Sequence, residues 1–123
     1  MQLEDLSYKV IGAAIEVHSI LGPGLFESVY QECLYYELKA LGLNVEKEII
    51  KPIVYKNIQL DRGYRIDLLV EGQLIVENKT VEELAPINTA QALTYLKFTG
   101  CKLALLINWR STSLKNGIKR VIL

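Results

Sequence analysis

The sequence predicts an α+β fold, an α/β sandwich with a mixed sheet flanked by helices. The expected element order is α-α-β-β-β-α-β, with an optional last strand. Three observations predict it. Two apolar patterns of helical period open the chain. The middle, Val45 to Lys79, turns to β-branched residues separated by turn signals. A third helical stretch then leads into Lys102–Asn108, which is so apolar that both faces of a strand there must be buried. Strands clustered between helices make a layered domain. A chain of 123 residues fits one such domain, spanning 1–123.

From about Glu4 to Ile20, Leu6, Val10, Ala13, Ala14 and Val17 recur at helical spacing, and Leu21-Gly22-Pro23-Gly24 ends the run. A second helix is expected from about Leu25 to Leu41, with Val29, Cys33, Leu34, Tyr36 and Leu41 inward and Gly42 as its cap. Val45–Tyr55 reads as a strand in which Pro52 demands an edge position or a bulge. After a turn at Lys56-Asn57, Ile58–Val70 carries a strand pattern broken near Asp61-Arg62-Gly63. Glu71-Gly72 marks a hairpin into the strand Gln73–Lys79. Pro86 precedes a third helix, Asn88 to Thr99, stopped by Gly100. Residues 113–117 form a turn before a short strand at Ile118–Ile122.

Half the residues are apolar, yet the apolar runs are far too short for a membrane span. The opening Met-Gln-Leu-Glu-Asp does not read as a signal peptide. Cys33 and Cys101 read as reduced core thiols. Together these features predict a cytoplasmic protein with no membrane contact. A net charge of zero argues mildly against a dedicated nucleic-acid binder. The charge is uneven, however: residues 1–50 hold eight acids and three bases, and residues 110–123 hold four bases and no acid. Ordinary solvated faces explain that pattern, and so would a polarised surface.

One constellation has the parts for chemistry. Asp67 and the run Glu77-Asn78-Lys79 lie on adjacent expected strands. Side chains alternate along a strand, so Glu77 and Lys79 share a face. A three-residue loop, Glu71-Gly72-Gln73, sets Val70 opposite Leu74 and therefore Asp67 opposite Glu77. Two carboxylates so close repel unless a cation sits between them, and a divalent ion bound through oxygen meets that need. Lys79 beside it completes the equipment for metal-assisted phosphodiester hydrolysis. A two-residue turn would put the acids on opposite faces unless a bulge intervened. The acid-x-Lys pattern alone is common: Glu37-Leu38-Lys39 has it on an expected helix surface. Elsewhere, Glu27 falls in the first turn of the second helix, where the helix dipole favours an acid. Gln91 and Tyr95 are four apart on the third helix and so share a face.

Gly24-x-x-Glu27-x-x-Tyr30 resembles the signature of the GxxExxY proteins, a small bacterial group within the PD-(D/E)XK nuclease superfamily. Arg65-Ile66-Asp67-Leu68-Leu69-Val70, Ile75-Val76-Glu77-Asn78-Lys79, Ala90-Gln91-x-Leu93-x-Tyr95-Leu96, Leu105-Leu106-Ile107-Asn108 and Gly117-Ile118-Lys119-Arg120 resemble the later blocks of that group in order. The resemblance implies a restriction-endonuclease-like core and a Mg²⁺- or Mn²⁺-dependent nuclease acting on DNA. It implies that Asp67 and Glu77 bind the metal, that the Asn78 carbonyl adds a ligand, and that Lys79 is the catalytic lysine. Glu27 would be the helix-borne acid reaching the metal directly or through water. Gln91 and Tyr95 resemble a Gln-x-x-x-Tyr motif that lines the site in recombination exonucleases and contacts substrate.

Asn78 departs from the apolar residue usual at that position. A buried amide without partners costs roughly 1–3 kcal/mol, so Asn78 must find hydrogen bonds or lie on a less buried side. His18, the sole histidine, reads as structural, and Trp109 as a core-edge residue. The alternative function is a catalytically inactive nuclease fold serving as a binding or assembly module. A small chain offers little surface to a duplex, which makes a homodimer attractive.

Overall fold

The computed structural model describes residues 1–123. Its elements are α1 (Leu3–Leu21), α2 (Glu27–Ala40), β1 (Val45–Tyr55), β2 (Ile58–Val70), β3 (Leu74–Lys79), α3 (Pro86–Thr99), β4 (Leu103–Asn108), a 3₁₀ turn at Leu114–Gly117, and β5 (Ile118–Ile122). This is the expected order, with the last strand present. The sheet runs β1-β2-β3-β4-β5. Only β3 and β4 pair in parallel, joined by the crossover helix α3; every other pair is antiparallel. No helix is long and apolar enough to cross a membrane.

The two faces of the sheet are unequal. One packs under α1 and α2 through Leu6, Val10, Ala14, Tyr30, Leu34 and Leu38, against Leu68, Val70, Leu74, Val76, Leu105 and Ile107. The other packs against α3 in a smaller cluster: Ile75, Ala104, Leu106 and Leu69 meet Ala92 and Leu96. All six residues of β4 are buried, as its composition requires.

Three expectations need correction. Val29, Tyr36 and Leu41 are exposed rather than inward. The buried stripe of α2 is Tyr30, Leu34 and Leu38, because Tyr30 is drawn in by a hydroxyl bond to the Gly22 carbonyl and by stacking on Trp109. The expected break near Asp61-Arg62-Gly63 is a bulge: β2 is continuous, and the register shifts between Lys51 and Ile53 on the edge strand, around Pro52. Gly63 belongs there because a Cβ would collide with the Ile53 side chain. Third, α3 starts earlier than expected, with Pro86 in its first turn, where a missing N–H costs nothing.

Candidate active site

The hairpin between β2 and β3 sets the geometry. Gln73 N–H donates to the Val70 carbonyl at 3.0 Å, closing a tight turn over Glu71 and Gly72. Both central residues have positive φ, 54° and 63°, as a type I′ turn requires. Glu71 tolerates this because it is clamped at two points. Its N–H donates to the Asn44 carbonyl at 2.7 Å, and its carboxylate accepts from Asn44 N–H at 2.6 Å. A two-residue loop would pair Val70 with Gln73. Instead Val70 pairs with Leu74, and Gln73 is the extra residue. That one residue restores the parity that brings Asp67 and Glu77 together. Alternation also breaks in β2 next to the site: Leu68 packs under α1 and α2, whereas Ile66 joins the cluster on the α3 side. Opposite, Glu48 of β1 has φ 52°.

Asp67 and Glu77 interlock across the strands. Asp67 N–H donates to Glu77 Oε2 at 2.9 Å, and Asn78 N–H donates to Asp67 Oδ2 at 2.8 Å. They are only 7% and 3% exposed, too buried to be a pair at a solvated strand end. Burial raises both carboxyls; for Glu77 the charge of Asp67 adds to it, and its pKa is pushed up from 4.5 to about 8. The Arg65 guanidinium lies 3.7 Å from Asp67 Oδ1, and also 3.7 Å from Glu48. Lys79 Nζ donates to Gln91 Oε1 at 3.1 Å, tying β3 to α3. The Tyr95 phenol is raised by burial and then by the charges of Glu77 and Asp67, so its ring lies in the field of both carboxylates. Residue spacing on α3 thus sets Tyr95 on the same helix face as Gln91, the partner of Lys79.

Glu27 is placed apart. Its carboxylate accepts from Thr80 Oγ1 at 3.3 Å, one residue beyond Lys79. No three His, Cys, Asp or Glu side chains gather closely enough to share a metal ion.

Asn78 points to the other face and is fully buried. Its side-chain oxygen accepts from Trp109 Nε1–H at 2.9 Å, and its amide donates to Gln31 at 3.1 Å. Trp109 is itself fully buried and stacks on Tyr30, with centroids 4.8 Å apart and planes 5° apart. The departure from an apolar residue at position 78 is therefore matched by an indole that needs an acceptor. The exit from β3 is clamped as well: Trp109 N–H donates to the Lys79 carbonyl at 2.9 Å, and the Asn108 amide exchanges bonds of 2.9 and 3.1 Å with the main chain of Val81.

A family model described as the PD-(D/E)XK nuclease superfamily matches residues 4–121. The chain belongs to the PD-(D/E)XK nuclease superfamily. No curated protein and no solved structure matches it. The superfamily match spans every element from α1 to β5. Within this superfamily chain, three contributors escape a reading by motif. Arg65 is the cation nearest Asp67, and only its place two residues before the acid hinted at that. Gln31 and Trp109 hold Asn78; the signal was a polar residue in an otherwise apolar strand, together with an indole N–H in need of a partner.

Proposed function

We propose that this chain is a metal-dependent nuclease of the GxxExxY kind, hydrolysing DNA phosphodiester bonds with a metal-activated water. The interlocked pair Asp67–Glu77, with Lys79 beside it on β3, carries this reading. The donor set suits Mg²⁺ or Mn²⁺. Asp67 Oδ2 and Glu77 Oε2 are engaged by backbone N–H groups, which fixes both carboxylates; Glu77 Oε1, and Asp67 Oδ1 facing Arg65 at 3.7 Å, are the oxygens left for a hard cation. Two carboxyls raised by burial, with the charge of Asp67 adding to the rise at Glu77, are what such a cation would relieve. When bound, the ion supplies a Lewis acid and a water of lowered pKa.

The remaining roles fall to the chain's own groups. Lys79, steered by Gln91, offsets charge that builds on the phosphoryl oxygens. Gln91 and Tyr95 line the substrate side. Glu27, beside Thr80, is an outer acid at the strand exit. The Asn78 side chain is committed to Trp109 and Gln31, so only its main-chain carbonyl is left as a ligand. A homodimer would widen the surface offered to DNA.

Cleavage of plasmid and linear DNA in Mg²⁺ or Mn²⁺ tests this reading against Asp67→Ala and Lys79→Ala. Metal-dependent cutting that survives both substitutions belongs to a contaminant and overturns it. A second reading, a non-catalytic binding or assembly module, draws support from the spacing of the acids, no three of which gather closely enough to share a metal ion. Calorimetric titration with Mn²⁺ separates the two. Binding that is lost in Glu77→Ala favours the nuclease, and no binding favours the module.

A further inference from the structure

A row of aromatic rings leaves the candidate site toward solvent. Tyr95 of α3 stacks on Tyr64 of β2, with centroids 5.0 Å apart and planes 28° apart. Tyr64 stacks in turn on Phe98 of α3 at 5.7 Å, again at 28°. The row runs outward from the α3-side core: Tyr95 and Tyr64 are half-buried against it, and Phe98 is 48% exposed. Lys51 is the register partner of Tyr64 across β1 and β2, so the two share a face. Lys51, Tyr64 and Phe98 line a cavity of about 390 Å³ whose walls carry one lysine and no carboxylate. Arg65, the next residue, has its guanidinium 3.7 Å from Asp67 and is more than half exposed. Two rings and a lysine thus border a cavity free of acids, one stacking contact away from Tyr95.

We propose that Phe98, backed by Tyr64, forms a stacking platform for an unpaired base flanking the scissile phosphate, with Lys51 and Arg65 holding the adjoining phosphates. The proposal rests on the nuclease reading and narrows its substrate to nucleic acid with a single-stranded segment at the site. A base inside a duplex has both faces covered by its neighbours, so only an unstacked base can lie on an aromatic ring. Because every base has a π-face, such a platform would be tolerant of sequence.

Fluorescence anisotropy in EDTA, with a labelled oligothymidylate and a blunt duplex of equal length, tests the platform without cleavage. The wild type is expected to bind the single strand more tightly. Tyr64→Ala and Phe98→Ala should each weaken single-strand binding by about five- to 150-fold and leave duplex binding nearly unchanged. Tyr64→Phe keeps the ring and should keep the affinity. Phe98 is half-exposed, so Phe98→Ala decides the matter should Tyr64→Ala melt early. Equal affinity for the two DNAs, or wild-type single-strand affinity in folded Phe98→Ala, overturns the platform. A protein that binds the strand through these rings yet cuts no DNA in Mg²⁺ or Mn²⁺ sinks the nuclease reading and keeps the platform.

Discussion

The two faces of β3 bury polar groups of opposite character. On the α1 and α2 face, Asn78 is a neutral amide with a partner on each end, Trp109 and Gln31. On the α3 face, one residue away, Glu77 is buried beside a second acid and is raised to about 8. Neutral polar groups whose bonds are made cost little to bury, whereas adjacent buried carboxylates oppose folding when ionised. The first face therefore holds β3 in place, and the second carries two carboxyls whose ionisation burial opposes. Stability and candidate chemistry are divided between the sides of a single six-residue strand.

The largest expected effect lies on the α3 face. Asp67→Ala should abolish metal-dependent cleavage, and Lys79→Ala should lower its rate by about 10²–10³-fold, with thermal melts still cooperative. Single-turnover cutting of DNA in Mg²⁺ measures both.

Next comes a gain in stability from removing the charge. The folded Glu77 value, about 8, lies above its ordinary 4.5. Between those values the folded chain keeps a proton that the unfolded chain releases, so stability falls as pH rises through the window. Glu77→Gln removes that slope and retains an acceptor for Asp67 N–H. In EDTA it should be more stable than wild type by on the order of a few kcal/mol at high pH, with the difference shrinking toward pH 4.5. Urea melts across the range test this; equal slopes in the two proteins would erase the contrast between the faces.

The opposite face gives a smaller effect of opposite sign. Asn78→Leu leaves the Trp109 indole N–H buried without an acceptor and should cost about 1–3 kcal/mol. Mn²⁺ affinity should change little, since the side chain lies on the face away from the carboxylates and the main-chain N–H that holds Asp67 is kept. A neutral urea melt would show that the amide network does not hold the strand. The smallest effect belongs to Gln91→Ala, which frees Lys79 Nζ and should slow cleavage by no more than about tenfold, roughly 1 kcal/mol of barrier.

Much of this molecule was legible because its patterns are local. Leu6, Val10, Ala13, Ala14 and Val17 recur every three or four residues, and all five are buried under α1. The apolar run of β4 announced a strand covered on both faces. On α2 the pattern misled, since Val29, Tyr36 and Leu41 are apolar yet exposed. The side of that helix that turns inward is fixed by Tyr30 meeting Trp109, two residues 79 positions apart in the chain. Glu27 was legible as a first-turn acid, but its partner Thr80 lies on another element.

The chain by itself determined the element order, the hairpin position and the residue types of the candidate site, because periodicity and turn chemistry are written in neighbouring residues. Only the tertiary structure decided that Gln73 is the extra residue that sets Asp67 against Glu77. It also decided that Asn78 is satisfied from across the sheet and that Tyr64 and Phe98 extend Tyr95 toward solvent. The reason is physical: a loop one residue shorter or longer looks almost the same in sequence but reverses every side chain beyond it. Contacts between distant segments are set by packing, and no local pattern records it.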